Sequence, residues 1–190
     1  MDFRFGDFKE VLENRDRFFK KIGIKEIVEV TQVHGKNVLV VNETINPQTE
    51  ADGLITSKKA IYLMMKLADC MAISFHDQKR DVIGLAHVGS KGLEKGIIKN
   101  TVFKMIENFK TDPQDLIVKI SPSIDPCHYR MDIWQEAENQ LVKSGILKNN
   151  IDNPRICTYE SSDYFSHRRS EDTSTTEGRF VTILGIKNVS

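Results

Sequence analysis

Residues 61–92 read IYLMMKLADCMAISFHDQKRDVIGLAHVGSKG, and their order decides the fold class. Ile61 to Leu67 and Met71 to Phe75 are apolar runs of strand length, broken around Ala68-Asp69-Cys70. Asp77-Gln78-Lys79-Arg80-Asp81 is a polar turn. Val82 to Ala86 is a third apolar run, His87 stands where it ends, and Gly89 and Gly92 follow. Short apolar runs bounded by turn residues predict buried strands. Strands that follow one another without a helix between them are not a regular βαβ wind. They predict an α+β fold with mixed sheets.

Upstream, Ile27 to Val33 and Val38 to Val41 are rich in β-branched residues and flank His34-Gly35-Lys36-Asn37. This pattern predicts a β-hairpin with His34 at its tip. Ala51-Asp52-Gly53 is a turn signal. Phe8, Val11, Leu12, Phe18, Phe19 and Ile22 recur at helical spacing, so a helix is expected over 8–22, closed by Gly23. Downstream, Leu93, Ile97, Val102, Met105, Ile106 and Phe109 form one helical stripe. A strand is expected at 116–120. A helix follows through Leu141, with Asp132 and Gln135 at capping-box spacing and Gly145 ending it. Two last strands are expected at 155–159 and 179–184, with a polar, mobile loop at 170–177 between them.

The length of 190 residues suits one domain over 1–190. With 27 basic and 27 acidic residues, the chain has no basic surplus to grip nucleic acid or an acidic membrane. Met1 to Glu10 is polar and charged, unlike a signal peptide, and no apolar run reaches bilayer length. Cys70, Cys127 and Cys157 are odd in number and form no CxxC pair, so neither a disulfide framework nor a zinc ribbon is expected. A cytoplasmic protein with reduced thiols is expected; monomer and homodimer both stay open.

Three borderline-soft ligands lie near expected strand ends: His34, Cys70 and His87. Imidazole nitrogen and thiolate sulfur suit zinc, with copper as the competitor. Three protein ligands leave a fourth position open, the arrangement of a catalytic site, where zinc lowers the pKa of water to about 7. The separations of 36 (70 − 34) and 17 (87 − 70) residues are not short-range ligand spacings. A buried free cysteine near two ordinary histidines is the competing reading.

Longer motifs add to this. Thr31-Gln32-Val33-His34-Gly35, Ala51-Asp52-Gly53-Leu54-Ile55-Thr56, Ala68-Asp69-Cys70 and Ala86-His87-Val88-Gly89-Ser90-Lys91-Gly92 occur in that order. Ser121-Pro122-Ser123-Ile124, Tyr129, Cys157-Thr158, Phe165-Ser166-His167-Arg168-Arg169 and Gly178-Arg179 follow. Together they resemble the laccase-domain, or polyphenol oxidase-like, family of purine nucleoside phosphorylases over nearly the whole chain. The resemblance implies a layered α/β/β/α arrangement of cysteine-hydrolase-like fold, with His34, Cys70 and His87 as metal ligands. It also implies activity on purine nucleosides: phosphorolysis of adenosine or inosine, or deamination of adenosine.

The chain departs from the family pattern where the usual His-Ala-Gly-Trp-Arg-Gly is His87-Val88-Gly89-Ser90-Lys91-Gly92. Lysine presents a point charge where arginine presents a planar fork for phosphate. The chain also starts later than its relatives and is shorter between Tyr129 and Asp132. Arg15, beside Asn14, together with Lys91 and Arg168, are the expected substrate or phosphate cations. Solvated surface charges are the alternative. Asp69 is expected beside the catalytic ligands, orienting one of them as carboxylates orient metal-bound imidazoles. The adjacent Cys127 and His128 point apart on any strand and make a poor pair. Trp134 is expected as a core anchor, and Cys157 as packing.

Four functions compete. The first is a metal-dependent enzyme on purine nucleosides, with phosphate attacking C1′ or hydroxide attacking C6 of adenine. The second is an amidase or cysteine hydrolase on a peptidoglycan precursor, with Cys70 as nucleophile and His87 as base. The third is a copper polyphenol oxidase, which the absence of any His-x-His pair disfavours. The fourth is a non-catalytic binding module. The expected partners are a small-molecule substrate, a purine nucleoside with phosphate, and neither nucleic acid nor membrane.

Overall fold

The computed structural model describes residues 7–187. The first six residues of the polar N-terminal stretch lie outside them. Asp7 caps helix α1 (Phe8–Lys21) by accepting from the Lys9 and Glu10 amides. The three apolar runs form β4 (Ile61–Leu67), β5 (Met71–Asp77) and β6 (Val82–Val88). Asp77 closes the β5–β6 turn by accepting from the amides of Lys79 and Arg80.

The expected hairpin at 27–41 does not form. β1 (Glu26–Val28) pairs parallel to β4, whereas β2 (Val38–Val40) pairs parallel to β3 (Gly53–Thr56) in another sheet. Val28 faces a core shared with Leu63 and Leu85, and Val38 faces a different core with Ile55 and Phe75. Burial of each strand against its own core outweighs the local pairing that the pattern suggested. β3 went unseen as a strand because its sequence begins at the Asp-Gly turn signal.

Two mixed sheets result. The small one has the order β1-β4-β9, with β9 at Phe180–Gly185, and the large one has the order β2-β3-β6-β5-β7-β8. β7 is Leu116–Ile120 and β8 is Ile151–Asp152. Leu63, Met65, Leu67, Leu54 and Leu85 fill the space between the sheets. On the other face of the large sheet pack α2 (Ser90–Lys95), α3 (Ile97–Phe109) and α4 (Ile133–Lys143), through Leu93, Ile98, Val102, Met105, Trp134 and Leu141. α1 lies over the outer face of the small sheet, where Arg15 meets Glu29. The order of layers is helix, sheet, sheet, helix.

Three further expectations change. The stripe at 93–109 is two helices, because Gly96 takes φ +80° and ends one while starting the next. The strand expected at 155–159 is a turn with one isolated bridge, Ser123 to Cys157. Part of the loop expected at 170–177 is α5 (His167–Thr173), capped by Ser166 accepting from the Arg169 amide. In α4 the capping box is half made. Asp132 accepts from the Gln135 amide, but the Gln135 side chain reaches Asn139 instead of turning back.

The register places the site. Cys70 directly precedes β5, whose first residue Met71 pairs with Val88, and Gly53 at the start of β3 pairs with Ala86. Leu67, at the end of β4, pairs with Phe180 at the start of β9. Three crossings from one sheet to the other therefore matter here: 29–37 carries His34, 68–70 carries Cys70, and 153–179 carries α5. The last two share one end of the strands with His87.

Candidate metal centre

His34, Cys70 and His87 come together. One ligand atom of each lies within 4.8 Å of the others. His34 Nε2 is 3.8 Å from Cys70 Sγ, and the two imidazoles meet edge to face at 4.7 Å between centroids. His34 is exposed, Cys70 half-buried and His87 buried. The cluster is thus open on the His34 side and closed on the β6 side.

Each position has a local cause. His34 holds φ +55°, a left-handed conformation rare outside glycine, and such a residue costs on the order of 1–3 kcal/mol unless its surroundings fix it. Asp52 does so. Its buried carboxylate accepts from the amides of Val33 (3.3 Å), His34 (2.9 Å) and Gly35 (2.6 Å). The same carboxylate lies 2.8 Å from Nδ1 of His87. Lys95 donates to the His34 carbonyl from the other side at 3.0 Å. Cys70 has room only because residue 89 is glycine: a Cβ there would sit 2.6 Å from Cys70 Sγ.

The electrostatics favour a thiolate. Burial pushes the Cys70 thiol up, but hydrogen bonds and charge from His34 and His87 outweigh it and bring the thiol down to about 6. Burial pulls His87 down, yet its bonds to Asp52 and Cys70 raise it to about 9. Burial likewise raises Asp52, and the bonds from His87 and Gly35 more than offset this, leaving it lowered. Two borderline nitrogens and a thiolate converging around an open face are the donor chemistry that suits a zinc or copper ion. Among the described residues this is the one His/Cys/Asp/Glu group so arranged.

The other expected residues lie as follows. The Asp69 carboxylate bonds to the Thr158 hydroxyl (2.8 Å) and the Arg168 amide (2.7 Å), not to a ligand ring. The carboxylate on a candidate ligand imidazole is Asp52, a residue read from the sequence as part of a turn and of one family motif, with no role of its own. Its signal was there, an acidic side chain between two candidate ligands, but no spacing rule ties residue 52 to residue 87. Lys91 is exposed on α2, two residues after Gly89. The Arg168 side chain is 43% exposed, with Glu171 at 3.5 Å. Arg15 is buried and paired with Glu29, which also takes Lys66. Ser90 is hydrogen-bonded to Tyr129 at 2.9 Å.

Arg169 holds the segment before α5 by donating to the carbonyls of Thr158, Tyr159, Ser161 and Tyr164. A cavity of about 670 Å³ opens there, lined by Tyr159, Tyr164, Phe165 and Arg169. None of the three candidate ligands lines it, so it is an open recess beside α5 and not the metal centre itself. His128 stacks on Tyr159 at 3.9 Å, while Cys127 is exposed. Trp134 is buried in the core and donates to Ser123. Cys157 packs at the core edge and accepts from the Asp125 amide.

A family model described as multi-copper polyphenol oxidoreductase laccase matches residues 2–132 and 128–187. The chain belongs to this family. A purine nucleoside phosphorylase of Rickettsia conorii is 34% identical over 123 residues, which are 65% of this chain and 50% of that one. The chain thus spans about half the length of that relative. The purine nucleoside phosphorylase YlmD of Geobacillus stearothermophilus is 26% identical over 221 residues, covering 94% of this chain and 80% of that one. The crystal structure of YlmD from Geobacillus stearothermophilus matches with a TM-score of 0.90 at 25% identity, over 96% of this chain and 82% of that chain. The hypothetical protein YfiH of Bacillus licheniformis shares the fold with a TM-score of 0.87 at 24% identity, over 94% of this chain and 82% of that chain. The α+β fold with mixed sheets is therefore that of this laccase family. Among the described residues, no helix is long and apolar enough to cross a membrane.

Proposed function

We propose that residues 1–190 act as one domain, a zinc-dependent enzyme on purine nucleosides that carries out phosphorolysis of adenosine or inosine, adenosine deamination, or both. One observation carries this reading: His34, Cys70 and His87 converge within 4.8 Å, in a chain whose relatives are named purine nucleoside phosphorylases. His34, Cys70 and His87 would hold the ion, which supplies Lewis-acid polarisation when bound. The chain's own residues do the rest. Asp52 keeps a proton on Nδ1 of His87, so Nε2 is the nitrogen left to coordinate. Lys91 and Arg168 offer cationic side chains for phosphate. Arg15 is a weaker candidate, since phosphate would have to displace Glu29. Asp69 supports the Arg168 amide and, through its place in the chain, Cys70. The open recess beside α5 has the volume for a nucleoside-sized ligand.

A second reading has an observation of its own. Without a metal, Asp52, His87 and Cys70 line up as acid, base and lowered-pKa thiol, the arrangement of a cysteine hydrolase. One sulfur cannot be both a tight ligand and a free nucleophile, so metal content separates the two.

The test is elemental analysis of chelator-free protein, followed by adenosine and inosine assays with and without phosphate. One zinc per chain, and free base released only with phosphate, supports phosphorolysis. Inosine formed from adenosine without phosphate supports deamination. A metal-free protein with thiol-dependent hydrolysis would replace both by the cysteine reading.

A further inference from the structure

We infer that Asp52 is the positioning residue of this centre: one buried carboxylate that sets both imidazole ligands at once. The inference rests on the metal-binding reading of His34, Cys70 and His87.

Asp52 has no exposed surface. Its two oxygens receive three consecutive backbone amides of the His34 loop and the ring of His87. Oδ1 is shared between the two ligands, with the His34 amide at 2.9 Å and His87 Nδ1 at 2.8 Å. A carboxylate only accepts, so Nδ1 of His87 must carry the proton and Nε2 presents its lone pair to the centre. The main chain repeats the grip, because the His87 amide donates to the Asp52 carbonyl at 2.7 Å. His34 lies on a crossing between sheets and His87 on β6. Apart from Cys70, the third ligand of the centre, no side chain among the described hydrogen bonds reaches both, so outside the ligands themselves the relative placing of the two rings runs through this residue.

A competing account is that Asp52 simply closes a loop, as buried aspartates often do. Asp77 is the control. It too is fully buried and accepts two turn amides and Arg80, but at the far end of the same β5–β6 pair. Asp77→Asn tests loss of a buried carboxylate without touching a ligand. Asp52→Asn keeps the shape but turns an amide NH2 toward groups that are all donors.

Zinc affinity would be measured by competition with a chromophoric chelator on stripped protein, with Tm recorded for wild type, D52N, D77N and Gly35→Ala. A Cβ at Gly35 would meet Asp52 Oδ2 at 3.2 Å and push the loop off its acceptor. We expect D52N to bind zinc about 10–100-fold more weakly. G35A should show a smaller loss, and D77N should bind within about twofold of wild type whatever its loss of Tm. At saturating cobalt(II), whose visible bands report ligand geometry, D52N should depart from the wild-type spectrum and D77N should overlay it. Wild-type affinity in D52N would overturn the inference, as would an equal loss in D77N. Should D52N fail to fold, unchanged affinity in G35A would overturn it. Wild type that takes up no zinc would instead end the metal-binding reading beneath it.

Discussion

Two buried aspartates flank the centre and use the same chemistry in opposite directions. Asp52 lies 35 residues from His87 in sequence, yet its carboxylate serves only the ligand side. Asp69 is the neighbour of Cys70, yet its carboxylate turns away to Thr158 and the Arg168 amide, 89 and 99 residues along the chain. Adjacent residues point in different directions, so the neighbour of a ligand is poorly placed to be its partner. The Asp52 half would shape the surroundings of a bound ion. The Asp69 half fastens the segment that carries Arg168. Metal binding and substrate handling should therefore separate by mutation.

The largest effect is expected from Cys70→Ala, which removes the ligand both halves share. Stoichiometric zinc should be lost altogether, as elemental analysis would show. Gly89→Ala comes next. Its Cβ would stand 2.6 Å from Cys70 Sγ, and overpacking of this kind costs roughly 1–3 kcal/mol, so zinc affinity should fall on the order of ten- to a hundredfold. A Gly89→Ala protein that binds zinc like wild type would show that the sulfur has freedom the structure does not suggest.

The pH dependence tests the Asp52 half without mutation. Cys70 is lowered to about 6 and His87 raised to about 9, so between these values the metal-free pair holds one proton. An ion must displace it, and apparent zinc affinity should rise about tenfold per pH unit from 6 to 9 and flatten above. Below 6 the thiol is protonated too, and the slope should steepen. Affinity independent of pH across this window would contradict the thiolate–imidazolium pair.

Asp69→Asn should act on the other half. Loss of its charged acceptor weakens the Arg168 amide bond by about 1.5–3 kcal/mol, so hydrogen exchange at the start of α5 should speed up by at least about tenfold. Zinc affinity should change little. A large loss of zinc in this variant would join the two halves again. The smallest effect concerns the order of alkylation in metal-free protein near pH 7. Cys70, held low, should react before the more exposed Cys127, which Asp125 pushes up.

The parts of the fold visible in sequence are those with strong local signals. β4, β5 and β6 follow from apolar runs with a polar turn between the last two, α1 from its periodic apolar face and α4 from its aspartate cap. What stayed hidden is decided by partners far along the chain. β1 and β2 look like a hairpin until each is seen to have its own core. β3 begins at a glycine and β8 has two residues, too short for any pattern. For the site, motif order named the three residues that converge, whereas their separations of 36 and 17 residues named none. Asp52 escaped because its role depends on β3 and β6 lying antiparallel, with Gly53 opposite Ala86.

The crossings between sheets have a mechanical consequence. His34 and Cys70 sit on two such crossings and His87 on the large sheet, so an ion held by all three would act as a further clasp between layers whose facing surfaces pack through apolar side chains. Splitting the sandwich would first require releasing the ion. Loading should then slow unfolding and resistance to proteolysis should rise with metal, with the equilibrium gain growing as RT ln(1 + [L]/Kd). The centre that would perform the chemistry would also serve as the fastening of the fold.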